Sequence, residues 1–193
     1  TIFGLALLWR IAFFLSTLFC LTLAFSAFIP DNPAFILAVL FSFAQIFRIS
    51  IILHNLTELF IYGGLATLFV PSLSLYSTTI LLILISIYDA IAVWKTKHMI
   101  KLAKFQSKVK TFAGLVIPYK KRTAILGGGD IGFPLIFTGV VYNSLGLQAL
   151  IIPVFTALAL LILLYQGEKN KFYPAMPFLT AGCFIGYLAT LLI

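Results

Sequence analysis

Charge is scarce in this sequence, and acid is the scarcest kind. Of 193 residues, five are Asp or Glu and thirteen are Lys or Arg, so 9% are charged while 62% are apolar. A soluble domain carries about 25% charged and about 45–50% apolar residues. A soluble core of this size could not hide so many Leu, Ile and Phe side chains, and the same excess excludes disorder. Strict alternation is also missing, and with it the signature of a membrane β-barrel, whose segments alternate over about ten residues. What remains is a polytopic, all-α bundle of transmembrane helices. The chain begins at Thr1 without an initiator Met, as a trimmed chain would, and no cleavable signal peptide is visible. A polytopic chain needs none. Both cysteines, Cys20 and Cys183, sit inside apolar runs. They read as small buried residues and say nothing of redox compartment.

Seven apolar runs are present, at 2–29, 33–53, 56–70, 73–94, 125–146, 148–164 and 173–193. A spanning helix needs about 20 such residues. The first run is long and holds Arg10, so it has room for parts of two helices. Pro30-Asp31-Asn32-Pro33 and Pro71-Ser72 are turns. Between 95 and 124 lies the one long hydrophilic stretch, with Lys95, Lys97, Lys101, Lys104, Lys108, Lys110, Lys120, Lys121 and Arg122 and no acid. In a soluble protein a net charge of +8 would suggest nucleic acid. Here it reports topology instead, and no nucleic-acid partner is expected. The positive-inside rule places 95–124 in the cytoplasm. Lys169 and Lys171 then also fall inside, and the turns free of Lys and Arg fall outside. Anionic lipid is a second use for the basic loop, and Lys95–Lys110 has the composition of a helix lying on the membrane surface. The chain thus divides into N-terminal helices over 1–94, the basic loop over 95–124 and C-terminal helices over 125–193.

The five acids are the informative residues. Asp31 and Glu168 sit in loops, and Glu58 lies near the end of a short run. Asp89 and Asp130 are embedded in apolar sequence, where a carboxylate costs several kcal/mol by widely varying estimates. A structural pairing with Arg10 or Arg48 is the bland alternative. Depth makes the two acids more specific. Asp89 lies five residues before Trp94, roughly 8 Å in from its run's end, and Asp130 about six residues into its own run, roughly 9 Å. The runs are antiparallel and flank the same loop, so the carboxyls can face each other near the cytoplasmic side. Two facing carboxyls resist joint ionisation, leaving one as acid and one as base. Such a pair can activate water against a peptide carbonyl or carry protons in a transporter. Tyr88 is either a hydrogen-bond donor beside this pair or an interfacial aromatic.

Gly127-x-Gly129-x-x-Gly132 matches the dinucleotide fingerprint by letter, but that fingerprint needs a preceding strand and a βαβ unit. These glycines instead suit close helix approach or access to Asp130, and Gly182-x-x-x-Gly186 has the packing reading too. Tyr173-Pro174-Ala175-Met176-Pro177 opens the last run on the same membrane side as both acids. Irregular backbone at that depth is tolerated where it is buried or lines a cavity.

Together, Tyr88-Asp89, Gly127-Gly128-Gly129-Asp130 and Pro174-Ala175-Met176-Pro177 resemble the motifs of the presenilin and signal peptide peptidase family of intramembrane aspartyl proteases, in order and in context. The likeness is good over 73–193 and weaker before it, and the small loops look most like archaeal presenilin homologues. The third motif has Met where the family has Leu, a change of similar volume. The family has nine spans against the seven runs counted here.

The resemblance implies Asp89 and Asp130 as the catalytic pair. It implies Gly127, Gly128 and Gly129 as keeping the approach to Asp130 open, and Pro174, Ala175 and Met176 as positioning substrate. It implies transmembrane helical proteins as substrates, a cell-membrane location and no cofactor or metal, and leaves room for a homo-oligomer. Leu115-Val116-Ile117-Pro118 is a candidate strand for pairing with an unwound substrate. With His54 and His98 as the only histidines, both outside run centres, a zinc or serine–histidine protease lacks its parts. The rival class is a proton- or cation-coupled transporter or leak channel using the same two acids. A prepilin-type peptidase would lack the final proline motif, and a scaffold would tolerate loss of either aspartate.

Overall fold

The computed structural model describes residues 2–47, 50–96, 113–119, 122–166 and 173–192. Seven α-helices lie among them: α1 (Ile2–Ser26), α2 (Asp31–Phe47), α3 (Ile51–Phe69), α4 (Leu75–Ile91), α5 (Gly128–Leu145), α6 (Ile151–Gln166) and α7 (Met176–Thr190). Strands β1 (Gly114–Tyr119) and β2 (Arg122–Gly127) form an antiparallel hairpin, with Gly114 opposite Gly127 and Tyr119 opposite Arg122. The all-α membrane bundle is the architecture. Leu7–Ser26, Ile51–Ser72, Leu75–Lys95 and Gly128–Tyr165 are long and apolar enough to cross a membrane, and Asp31–Phe47 and Met176–Thr190 are shorter apolar helices. Run 2–29 does not hold parts of two helices: α1 is continuous through Arg10 to Ser26.

Two further expectations change. The run at 125–146 begins as strand, and helix α5 starts only at Gly128, so Asp130 stands in the first helical turn rather than about six residues in. A strand therefore does precede the glycine-rich segment. It belongs to a two-stranded antiparallel hairpin and not to a parallel βαβ unit, so the dinucleotide reading still lacks its framework. The surface helix expected over Lys95–Lys110 falls mostly outside the described residues, as do Lys169 and Lys171; before that gap α4 continues as a π-helical turn, Ala92–Thr96.

The chain forms two compact units, Thr1–Leu68 with Ala103–Gly129, and Phe69–Leu102 with Asp130–Ile193. In the first, Leu21 and Phe25 of α1 pack with Ala34 and Ala38 of α2. The Phe25 ring meets Phe41 at 5.5 Å and Phe60 of α3 at 5.0 Å. A Cβ at Gly64 would overlap the Cys20 carbonyl, so α1 and α3 touch backbone to backbone there. Small residues permit such approach where lipid removes the hydrophobic drive between helices.

In the second unit, Leu82 of α4, Phe137 and Val141 of α5, Ile152 of α6 and Met176, Leu179 and Cys183 of α7 form one buried cluster. Helix α4 starts cleanly because Ser74 and Ser77 make a reciprocal capping box. Gly146, at φ 64°, turns the chain between α5 and α6. The expected packing role of Gly182-x-x-x-Gly186 is realised on α6. A Cβ at Gly186 would sit 2.8 Å from the Ile152 Cα, and one at Gly182 3.0 Å from the Phe155 carbonyl oxygen.

Candidate active site

Helix α4 presents Leu82, Ser86 and Asp89 to α7, at the i, i+4, i+7 spacing of one helical face. Leu82 and Asp89 are buried, Asp89 at 8% exposure, whereas Tyr88 points outward at 57%. The buried face meets the proline-broken start of α7. There Pro174 is fully buried and Met176 nearly so. The Met176 amide donates to Asp89 Oδ2 at 3.1 Å, and the Ala175 amide also faces that carboxyl. The Met176 carbonyl accepts from Ser86 Oγ at 3.2 Å, while Ser86 Oγ shares a 2.6 Å hydrogen bond with Thr180 Oγ1. Both backbone groups of Met176, its N–H and its C=O, are thus held by α4. The first amides of a helix have no intrahelical acceptor, and α4 supplies one from outside. Ser86 was not singled out from the sequence. Its only signal there was a hydroxyl three residues before Asp89.

Asp130 is half-buried in the first turn of α5. Its level follows from ring contacts farther along. Phe137 meets Phe184 at 5.9 Å and Tyr187 at 6.1 Å. Helices α5 and α7 are joined through one intervening helix, so they run the same way. Tracing both back by seven residues, about 10.5 Å, brings Asp130 level with residues 177–180, the first turn of α7. Ile85 and Phe133 pack on the same cluster. Asp89 follows Ile85 by four residues and Asp130 precedes Phe133 by three, so each acid extends its helix's core-facing side by one turn. Pro134 was also missed. It lacks the N–H that the Asp130 carbonyl would take within a regular helix, which loosens the backbone at the acid.

Gly127, Gly128 and Gly129 belong to the other unit, where β2 runs into α5. Gly128 donates its N–H to the Ala113 carbonyl at 3.3 Å. A Cβ on it would lie 3.2 Å from Tyr62 Oη of α3, so glycine fits a close packing position. Strand β1 is tied to α3 as well. Asn55 Nδ2 donates to the Val116 carbonyl at 2.8 Å, and the Val116 amide donates to Asn55 Oδ1 at 2.9 Å. His54 Nε2 lies 3.0 Å from the Gly114 carbonyl oxygen, which can only accept, so that nitrogen carries the proton. Residues alternate in direction along a strand pair. Gly114 and Val116 thus turn their peptide groups to α3, leaving Thr123, Ile125 and Gly127 turned outward on β2. The stretch Leu115–Pro118 is a strand, and the outward N–H and C=O of its Val116 are already bonded to Asn55.

The family described as signal-peptide peptidase, presenilin aspartyl protease matches residues 2–129. The chain belongs to that family. The match includes Asp89 and ends one residue before Asp130. No curated protein matches. Two solved structures of a presenilin family intramembrane aspartate protease are similar. The first, in a P2 space group, is 26% identical with a TM-score of 0.70, over 97% of this chain and 72% of that one. The second, in a C222 space group, is 24% identical with a TM-score of 0.68, over 97% of this chain and 74% of that one. The family accounts for the apolar helices and the membrane setting.

Proposed function

We propose that this member of the family is an endopeptidase that hydrolyses peptide bonds of transmembrane helical proteins with Asp89 and Asp130 as its working pair. The observation that carries the reading is the seat of Asp89: buried, and holding the Met176 amide of the proline-broken segment. One carboxylate takes a proton from water as the water oxygen bonds to the scissile carbonyl carbon. The other, as the acid, protonates the carbonyl oxygen. The carbon–nitrogen bond then breaks and the leaving nitrogen takes a proton. The pair titrates as a unit, so neither acid is assigned the proton. Met176 and Ala175 fix one carboxyl, and Pro174 and Pro177 keep the segment from continuing as helix. Gly127, Gly128 and Gly129, without side chains, keep the approach to Asp130 open.

A helical substrate hides its carbonyls, so it must be extended locally before attack. The edge that can receive it is β2, since α3 holds β1. The basic loop sets the orientation, with 95–124 cytoplasmic in the cell membrane. The test is cleavage of a single-span peptide in bilayers by the parent protein, Asp89→Asn and Asp130→Asn. The reading requires a cut within the span by the parent and none by either variant. A folded parent that cuts nothing, or an active single variant, rejects it. Proton-coupled uptake without proteolysis would favour the transporter class.

A further inference from the structure

We propose that Asn55 of α3 is a positioning residue that sets the register of the hairpin leading into Asp130, and through it the choice of scissile bond. The inference rests on the protease reading above and adds to it a residue outside the three motifs.

Asn55 is the one side chain here that copies a strand. Its amide donates to the Val116 carbonyl and accepts from the Val116 amide, at 2.8 and 2.9 Å. That two-bond exchange is what a paired strand residue offers. It is directional, and β1 slipped by one residue would present the opposite edge and lose both bonds. His54, one residue earlier on α3, takes the Gly114 carbonyl, two residues earlier on β1. Two steps of α3 thus read two outward positions of β1, which fixes the strand lengthwise. Tyr62, eight residues after His54 on the same helical face, closes on Gly128 just past the end of β2. The hairpin is therefore held by one helix at its start and at its exit. Side-chain amides in an apolar span are costly unless both halves are used, and Asn55 uses both on a single residue, Val116.

The consequence lies in covalent distance. Val116 faces Ile125 across the hairpin, and Ile125 is five residues from Asp130. A substrate strand added to β2 would be measured against that register. Releasing Val116 lets the hairpin shift or fray, so the bond offered to the acids varies.

The experiment uses the full chain in bilayers. Hydrogen exchange reads the latch, independently of activity. Mass spectrometry of products reads the cut. In Asn55→Ala, exchange at the Val116 amide should rise while Leu115 and Ile117, bonded to β2, stay protected. Cleavage should spread from the parent's site to neighbouring bonds, with kcat down about 10–100-fold and KM within about twofold. Asn55→Asp keeps the acceptor for the Val116 amide and loses the donor, and should fall between. Leu59→Ala, on an exposed face of α3, should match the parent in both readouts. If Val116 exchange is unchanged in Asn55→Ala, the latch does not exist in the membrane. If exchange rises but product pattern and kcat do not move, the latch does not position the cut. Loss of all cleavage in the parent sinks the protease reading and leaves the exchange result to judge the latch.

Discussion

Replacing Asp89 separates the two roles proposed for one carboxyl. As a member of the proposed acid pair it would exchange protons. As a partner of α7 it must accept the Met176 amide, 3.1 Å away in a site 8% exposed. Asparagine keeps an acceptor of the same reach and loses the acid. Alanine loses both. Both variants should be inactive, yet they should differ in stability. In Asp89→Ala the Met176 amide is left buried without its acceptor, which costs about 1–3 kcal/mol. Ser86 still holds the Met176 carbonyl, so the segment cannot turn away to find another partner cheaply. Asp89→Asn should stay within about 1 kcal/mol of the parent, since a neutral acceptor gives roughly half the strength of a charged one. For a chain of this length each kcal/mol moves Tm by about 2–4 °C. Thermal unfolding in detergent should therefore place Asp89→Ala several degrees below Asp89→Asn. Equal midpoints, or an alanine variant the more stable of the two, would show that the carboxyl does not hold α7 and would remove the main support for its placement.

Ser86→Ala and Thr180→Val should each destabilise by about 0.5–1.5 kcal/mol. Their double variant should lose less than the sum, because the two hydroxyls share one 2.6 Å bond, and a double-mutant cycle of unfolding free energies checks it. Gly186→Val should weaken the α6–α7 pair by about 1–3 kcal/mol, because even a Cβ would stand 2.8 Å from the Ile152 Cα backbone atom; reduced Tm with normal insertion is the expected readout. Glu58 is fully buried and accepts from Gln45 Nε2 at 2.6 Å. Glu58→Leu should cost about 1–3 kcal/mol by stranding that amide, and Glu58→Leu with Gln45→Leu should recover much of it in the same assay.

The seven helices were legible because hydropathy alone reports them: each apolar run yields one helix. The two acids and the proline-broken entry to α7 were legible because such residues are conspicuous in apolar sequence. The hairpin was not. Its second strand runs without a polar break into α5, so Ile125, Leu126 and Gly127 read as the start of a span. Helix α3 was cut short for the opposite reason. His54 and Asn55 interrupt the hydropathy, so its run seemed to begin at 56, although the helix begins at Ile51. Ser86 and Asn55 escaped notice because their partners lie 90 and 61 residues away, a distance no local pattern encodes.

Those misses share one physical cause. Lipid cannot satisfy backbone groups, so any irregular backbone at membrane depth must find its partners in protein. In the second unit the irregular segment is the start of α7, and Asp89 and Ser86 take the Met176 N–H and C=O. In the first it is the hairpin, and His54 and Asn55 take the Gly114 and Val116 groups. Polar side chains within the apolar spans thus bond peptide groups in both places. Both segments adjoin an acid, one through a hydrogen bond to Asp89 and one through the chain to Asp130. On the proposed reading a protease that works in lipid needs backbone that is not helical, and the polar residues of α3 and α4 are what hold such backbone in each unit.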